Sequence, residues 1–143
     1  MIDVKKAIDR ILDKFQQKPV LLWTNPNPTN TFVAQTITES SSGWVSGKHL
    51  SDYTFVRIEY RLFRTVNCAS PSIFASISDK GKAIWMSGTD GISDGQAVLY
   101  SREYEVNSNE IKFYDCKQSV PSASIAWGTN HEAMIPQKIY GIK

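Results

Sequence analysis

Cysteine is scarce in this chain. There are two, Cys68 and Cys116, and no C-x-x-C pair, so a thiolate zinc site is not expected. The residues are expected to be free thiols in a reducing compartment, behaving as small buried apolar groups rather than as a disulfide. Long apolar runs are missing too. Nothing approaches the roughly 18 consecutive apolar residues of a membrane-spanning helix. The first residues do not read as a secretory leader, because Asp3, Asp9 and Asp13 interrupt any apolar stretch. Synthesis and folding in a cytoplasm are therefore expected, with later release inside a larger particle left open. Charge of one sign is also lacking. Sixteen basic and fourteen acidic residues leave a net +2. They are scattered and often alternate, so no basic stripe marks a nucleic-acid partner. His49 and His131 are the only histidines, and no G-x-S-x-G occurs. A Ser-His-Asp set drawn from a serine, His131 and Asp115 thus lacks its signature. No catalytic residue and no cofactor are expected.

What the chain does have is alternation. In YTFVRIEYRLF, residues 53–63, Val56, Ile58, Tyr60 and Leu62 fall on one side. Arg57, Glu59 and Arg61 fall on the other. That is one long strand with an apolar and a charged face, and it needs hydrogen-bonding neighbours and a covering layer. Further strands are expected at residues 20–24, 32–38, 72–78, 82–87, 96–106, 110–116, 125–127 and 133–142. Asn25-Pro26-Asn27-Pro28, Asp79-Lys80-Gly81 and Asn107-Ser108-Asn109 punctuate them as turns. Residues 39–48 and 117–124 read as polar loops. With 143 residues, the chain can bury roughly 70% of the surface that it exposes unfolded. The expected fold is all-β: an antiparallel β-sandwich of jelly-roll type over residues 19–143.

Residues 1–18 are different. Val4, Ile8, Ile11, Leu12 and Phe15 recur at helical spacing, Asp3 suits the N-cap, and Pro19 discourages continuation. A helix this short is marginal alone, so its stripe needs a dock. Two docks are open: the chain's own sheets, or the same helix of other copies in a parallel coiled-coil stalk, since Val4, Ile8, Ile11 and Phe15 step by four, three and four.

Two stretches carry a resemblance. One is Leu21-Leu22-Trp23-Thr24-Asn25-Pro26-Asn27-Pro28-Thr29, followed by Phe32 and Ala34-Gln35-Thr36. The other is Ile135-Pro136-Gln137-Lys138-Ile139-Tyr140-Gly141-Ile142-Lys143. Ile111, Phe113 and Asp115-Cys116 add a weaker match. Over residues 20–143 the chain resembles a family of short C-terminal β domains in phage and prophage structural proteins, mostly tail-associated or fibre-like. The family's Leu-Ser-x-Tyr strand start falls at Leu50-Ser51-Asp52-Tyr53, with residues 40–49 inserted before it. The resemblance carries no catalytic signature. It implies that Trp23 and Ile139 fill a core and that the prolines shape turns. It further implies a virion part, fibre-like or receptor-binding, working beside other tail proteins, with a homotrimer as the usual assembly.

Aromatic residues beside polar loops suit glycans, because a ring face covers a pyranose while amides and carboxylates take its hydroxyls. Trp23 and Trp85 sit inside strand patterns and read as core. Trp44, with His49 nearby, and Trp127, with Asn130 and His131, flank polar loops and are the candidate glycan-binding residues. Asp90 and Asp94, on the glycine-rich GTDGISDG loop, are weak calcium candidates that lack the EF-hand spacing. Glu103 and Glu105 share a strand face about 7 Å apart. They read as solvent charges rather than a glycosidase pair. Three functions follow: a non-enzymatic virion domain contacting host glycan, an assembly module without ligand, or a hydrolase of host wall polysaccharide.

Overall fold

In a computed structural model, the described residues are 3–15, 18–63, 71–87, 98–120 and 125–143. They form one helix, α1 (Val4–Phe15), then β1 (Val20–Thr24), β2 (Gln35–Thr38), β3 (Phe55–Phe63), β4 (Ser72–Ser76), β5 (Lys80–Ser87), β6 (Val98–Val106), β7 (Glu110–Val120), β8 (Ile125–Thr129) and β9 (Ala133–Ile142). The first sheet has the order β1-β9-β3-β4. The second has β2-β7-β6-β5, with β8 also on β7. β2 pairs with the start of β7 and β8 with its end. All these pairings are antiparallel.

The expected all-β sandwich behind a short helix is what forms. The strand order does not establish jelly-roll winding, because β5, β6, β7 and β8 follow one another within one sheet. The Asp79-Lys80-Gly81 turn, read as a hairpin, instead carries the chain from the first sheet into the second. Ile77 N–H donates to Thr54 O, Ser78 N–H to Val106 O, and Val106 N–H to Asp79 O. The expected strand over 32–38 shrinks to β2, because Phe32 N–H is taken by His131 O and Ala34 N–H by the Asp115 carboxylate. Residues 117–120, read as loop, extend β7.

The core lies between the sheets. Val56, Ile58, Tyr60 and Leu62 of β3 point inward, as their alternation requires, and meet Tyr100, Tyr104, Ile111 and Phe113 of the second sheet. Phe113 takes Phe32 and Tyr60 edge-on, with centroids at 5.7 and 6.4 Å. Trp23 and Ile139 are buried and paired across β1 and β9. Trp85 is half-buried against the core. Cys116 is a buried free thiol whose pKa is raised by burial; Cys68 lies outside the described residues.

α1 begins as its sequence dictates: Lys6 N–H donates to the Asp3 carboxylate, an N-cap, and Ala7 N–H to Asp3 O. Of its stripe, Val4, Ile8 and Ile11 are exposed and do not dock on the chain's own sheets; the side chains of Leu12 and Phe15 lie outside the described residues. Among the described residues no helix is long and apolar enough to cross a membrane.

Candidate functional site

The two stretches that carry the resemblance are physical neighbours. β1 pairs with the C-terminal part of β9, Leu21 opposite Tyr140 and Trp23 opposite Ile139. The loop after β1 is tied to β9 as well. Asn25 N–H donates to Gln137 O and its side-chain amide to Pro136 O, while the Gln137 amide donates to Pro28 O. Asn25 Oδ1 accepts Asn27 N–H and closes the turn. Leu50-Ser51-Asp52 forms a single helical turn with Leu50 fully buried. It delivers the Tyr53 ring onto the backbone of Gly141, where a Cβ would drive into that ring. The three motifs thus make one corner of the sandwich.

Residues 39–49 fold back along β1. Thr24 N–H donates to Gly43 O, Val45 N–H donates to Leu22 O, and Trp44 bridges Trp23. Gly43 has φ +88°, and a Cβ there would strike Thr24 O. The Trp23 indole N–H donates to Ser42 O at 2.9 Å. Trp44 is half-buried, and its indole N–H donates to Lys48 O at 2.9 Å. His49 is exposed and its Nδ1 lies 2.7 Å from the Glu39 carboxylate, which raises the imidazole pKa by hydrogen bonding first and by charge second. Glu39 also accepts Leu50 N–H.

Of the second candidate cluster, Asn130 donates its side-chain amide to Gln118, and its carbonyl oxygen accepts Glu132 N–H. His131 Nδ1 lies 3.4 Å from Asp115 Oδ1 without hydrogen-bond geometry. The side chain of Trp127, and Asp90 and Asp94 altogether, lie outside the described residues. Among the described residues no cluster of His, Cys, Asp and Glu is placed to hold a metal ion. Glu103 pairs with Lys82 at 2.9 Å and Glu105 with Lys80 at 3.2 Å. The Tyr114 hydroxyl, and then Lys80, hold the Glu105 pKa below its usual value. A lowered pKa keeps Glu105 ionised, the opposite of what a general acid needs.

A cleft of about 400 Å³ opens between the loop after β1, β2 and residues 41–42. Its walls are Asn27, Asn30 and Thr31 on one side, Ser41 and Ser42 on another, and Gln35 of β2, with the edges of Trp23 and Phe32 beneath. Of the two candidate loops, residues 39–49 contribute Ser41 and Ser42 to its lining, while residues 128–132 contribute none. Trp44, His49, Asn130 and His131 do not line it. The sequence offers a signal for the residues that do: several amides and hydroxyls gathered around two prolines.

Arg102, which sequence reasoning missed, holds the far wall. It is fully buried in the middle of β6. Nε donates to Met134 O (2.8 Å), Nη1 to Tyr114 O (2.6 Å), and Nη2 to Phe32 O (3.1 Å) and Ala133 O (3.2 Å). A bulge in β7 places Tyr114 and Asp115 opposite the single residue Glu103, and this turns the Tyr114 carbonyl toward Arg102.

No protein-family model, curated protein or solved structure matches this chain.

Proposed function

We propose that the chain is a non-enzymatic virion component of a phage or prophage, a tail-fibre-like or receptor-binding domain that contacts host surface glycan. The observation that carries this reading is the corner built by β1, β9 and the 50–53 turn. The stretches that resemble the tail-associated family, far apart in sequence, are bonded to one another here. That these distant stretches form one corner of the fold supports reading them as a single unit. The exposed Val4, Ile8 and Ile11 of α1 support the assembly. With Val4 and Ile11 at d and Ile8 at a, β-branched residues occupy both seam positions, a pattern that favours three strands over two. Three weak glycan contacts on one particle then act together through avidity.

The test joins a glycan array to sedimentation of the chain with and without residues 1–18. The expected result is an oligomer that dissociates on truncation, with array binding by the intact form. A second reading, an assembly module without ligand, draws support from Trp44, whose indole N–H is committed within its own loop. A concentration-dependent oligomer with no response on the array selects it. Release of sugar from host wall material would bring back the hydrolase.

A further inference from the structure

We infer that the cleft between residues 25–31, β2 and residues 41–42 is the glycan subsite, and that it takes an uncharged sugar. This inference rests on the glycan reading above. No residue lining the cleft is charged. A site for phosphate or a sugar acid would place arginine or lysine there. A site for calcium would place carboxylates. The cleft presents amides and hydroxyls, each able to donate and accept, which is the complement of a sugar's hydroxyl groups.

The side chains of Asn25, Gln35 and Ser41 are already engaged, whereas four of those groups are free to bind. The Asn27 and Asn30 side-chain amides and the Thr31 and Ser42 hydroxyls make no hydrogen bond among the described residues. An apolar occupant would strip water from them and return nothing. Trp23 and Phe32 are only 2% and 4% exposed, so they contribute edges and not a broad greasy floor. The cleft also fits by size, since small-molecule sites span roughly 300–1,000 Å³.

The walls are set in advance. Pro26 and Pro28 stiffen one of them, and the bonds from Asn25 to Pro136 O and from Gln137 to Pro28 O anchor it to β9. The opposite wall is pinned by the Trp23 indole on Ser42 O and by the left-handed Gly43. Little ordering is needed on binding, which favours recognition of a small rigid ligand.

The test is an NMR titration of the full chain with glucose, galactose, N-acetylglucosamine and rhamnose, with glucuronate and N-acetylneuraminate as charged controls. The Trp23 indole N–H reports on the cleft. The expected result is a saturable shift of that signal with at least one neutral sugar and none with the charged ones. The double variant Asn27→Ala/Asn30→Ala should weaken binding by about tenfold or more. Gln35→Trp, which fills the cleft from an exposed position, should abolish it. Lys82→Ala, on the outer face of the second sheet, should change nothing. One-dimensional spectra check that each variant is folded. No shift with any neutral sugar, or binding that survives both cleft variants, overturns the inference. If the intact chain binds a glycan array and the cleft variants bind equally well, the cleft fails while the glycan reading stands. If the intact chain binds nothing on the array, the glycan reading itself fails.

Discussion

Each sheet carries an arginine on an inner strand, laid over an aromatic ring, and the two have opposite surroundings. Arg57, on β3, points away from the core and covers the Tyr140 ring at 4.4 Å. Its row continues across β4 to the exposed Phe74. Arg102, on β6, points into the core and covers the Phe32 ring at 5.0 Å. Its donors are taken by four main-chain carbonyls from three separate segments. Outside, the half-buried cation rests on the Tyr140 ring, its Nε covered and without a hydrogen-bond partner among the described residues. Inside, the protein must replace water group by group. The first arginine decorates a finished sheet, whereas the second decides where residues 32–34 and the start of β9 can lie.

The sharpest way to break this contrast is Arg102→Met. It leaves Phe32, Ala133, Met134 and Tyr114 carbonyls without their donor, and the expected loss is about 3–5 kcal/mol by urea unfolding. Arg102→Lys should recover little, because one ammonium cannot span the same fork. A smaller loss, about 2–3 kcal/mol, is expected for Gly43→Ala, which combines a left-handed backbone with a collision against Thr24 O. It should also shift the Trp23 indole signal. Arg57→Ala should cost only about 1–2 kcal/mol, the worth of a half-buried cation on a ring; a loss as large as that of Arg102→Met would erase the distinction.

The smallest effect concerns His49. Its pKa is raised above 6.5 by Glu39, so the pair's contribution is fully present below that value. It fades as pH rises through the folded-state pKa. An NMR titration should place the imidazole midpoint above 6.5 and find it lower in Glu39→Gln.

Much of the scaffold was legible because alternation is local. Val56, Ile58, Tyr60 and Leu62 declared their inward face, and the same rule applied to β6 put residue 102 inward beside Tyr100 and Tyr104. Arg102 was passed over because a buried arginine is sensible only once its carbonyl partners are known. Those partners come from residues 32, 114, 133 and 134, which no spacing connects. The Asp79-Lys80-Gly81 signal marked a real turn but not its destination, since turn chemistry fixes a reversal and not which sheet receives the next strand. The cleft was half legible: residues 25–30 and 39–48 stood out by their turn-forming and polar composition, but Trp44 beside them does not line it.

The sequence by itself determined the strands, the all-β class, the capped helix and the inward faces, because these follow from side-chain period and backbone preference within a few residues. Only the tertiary structure decided that β1 and β9 meet, that Val4, Ile8 and Ile11 of α1 stay exposed, and that an uncharged cleft opens beside Trp23. Those outcomes depend on hydrogen bonds and packing between segments far apart in the chain, and no local pattern encodes which distant carbonyl will be there to accept.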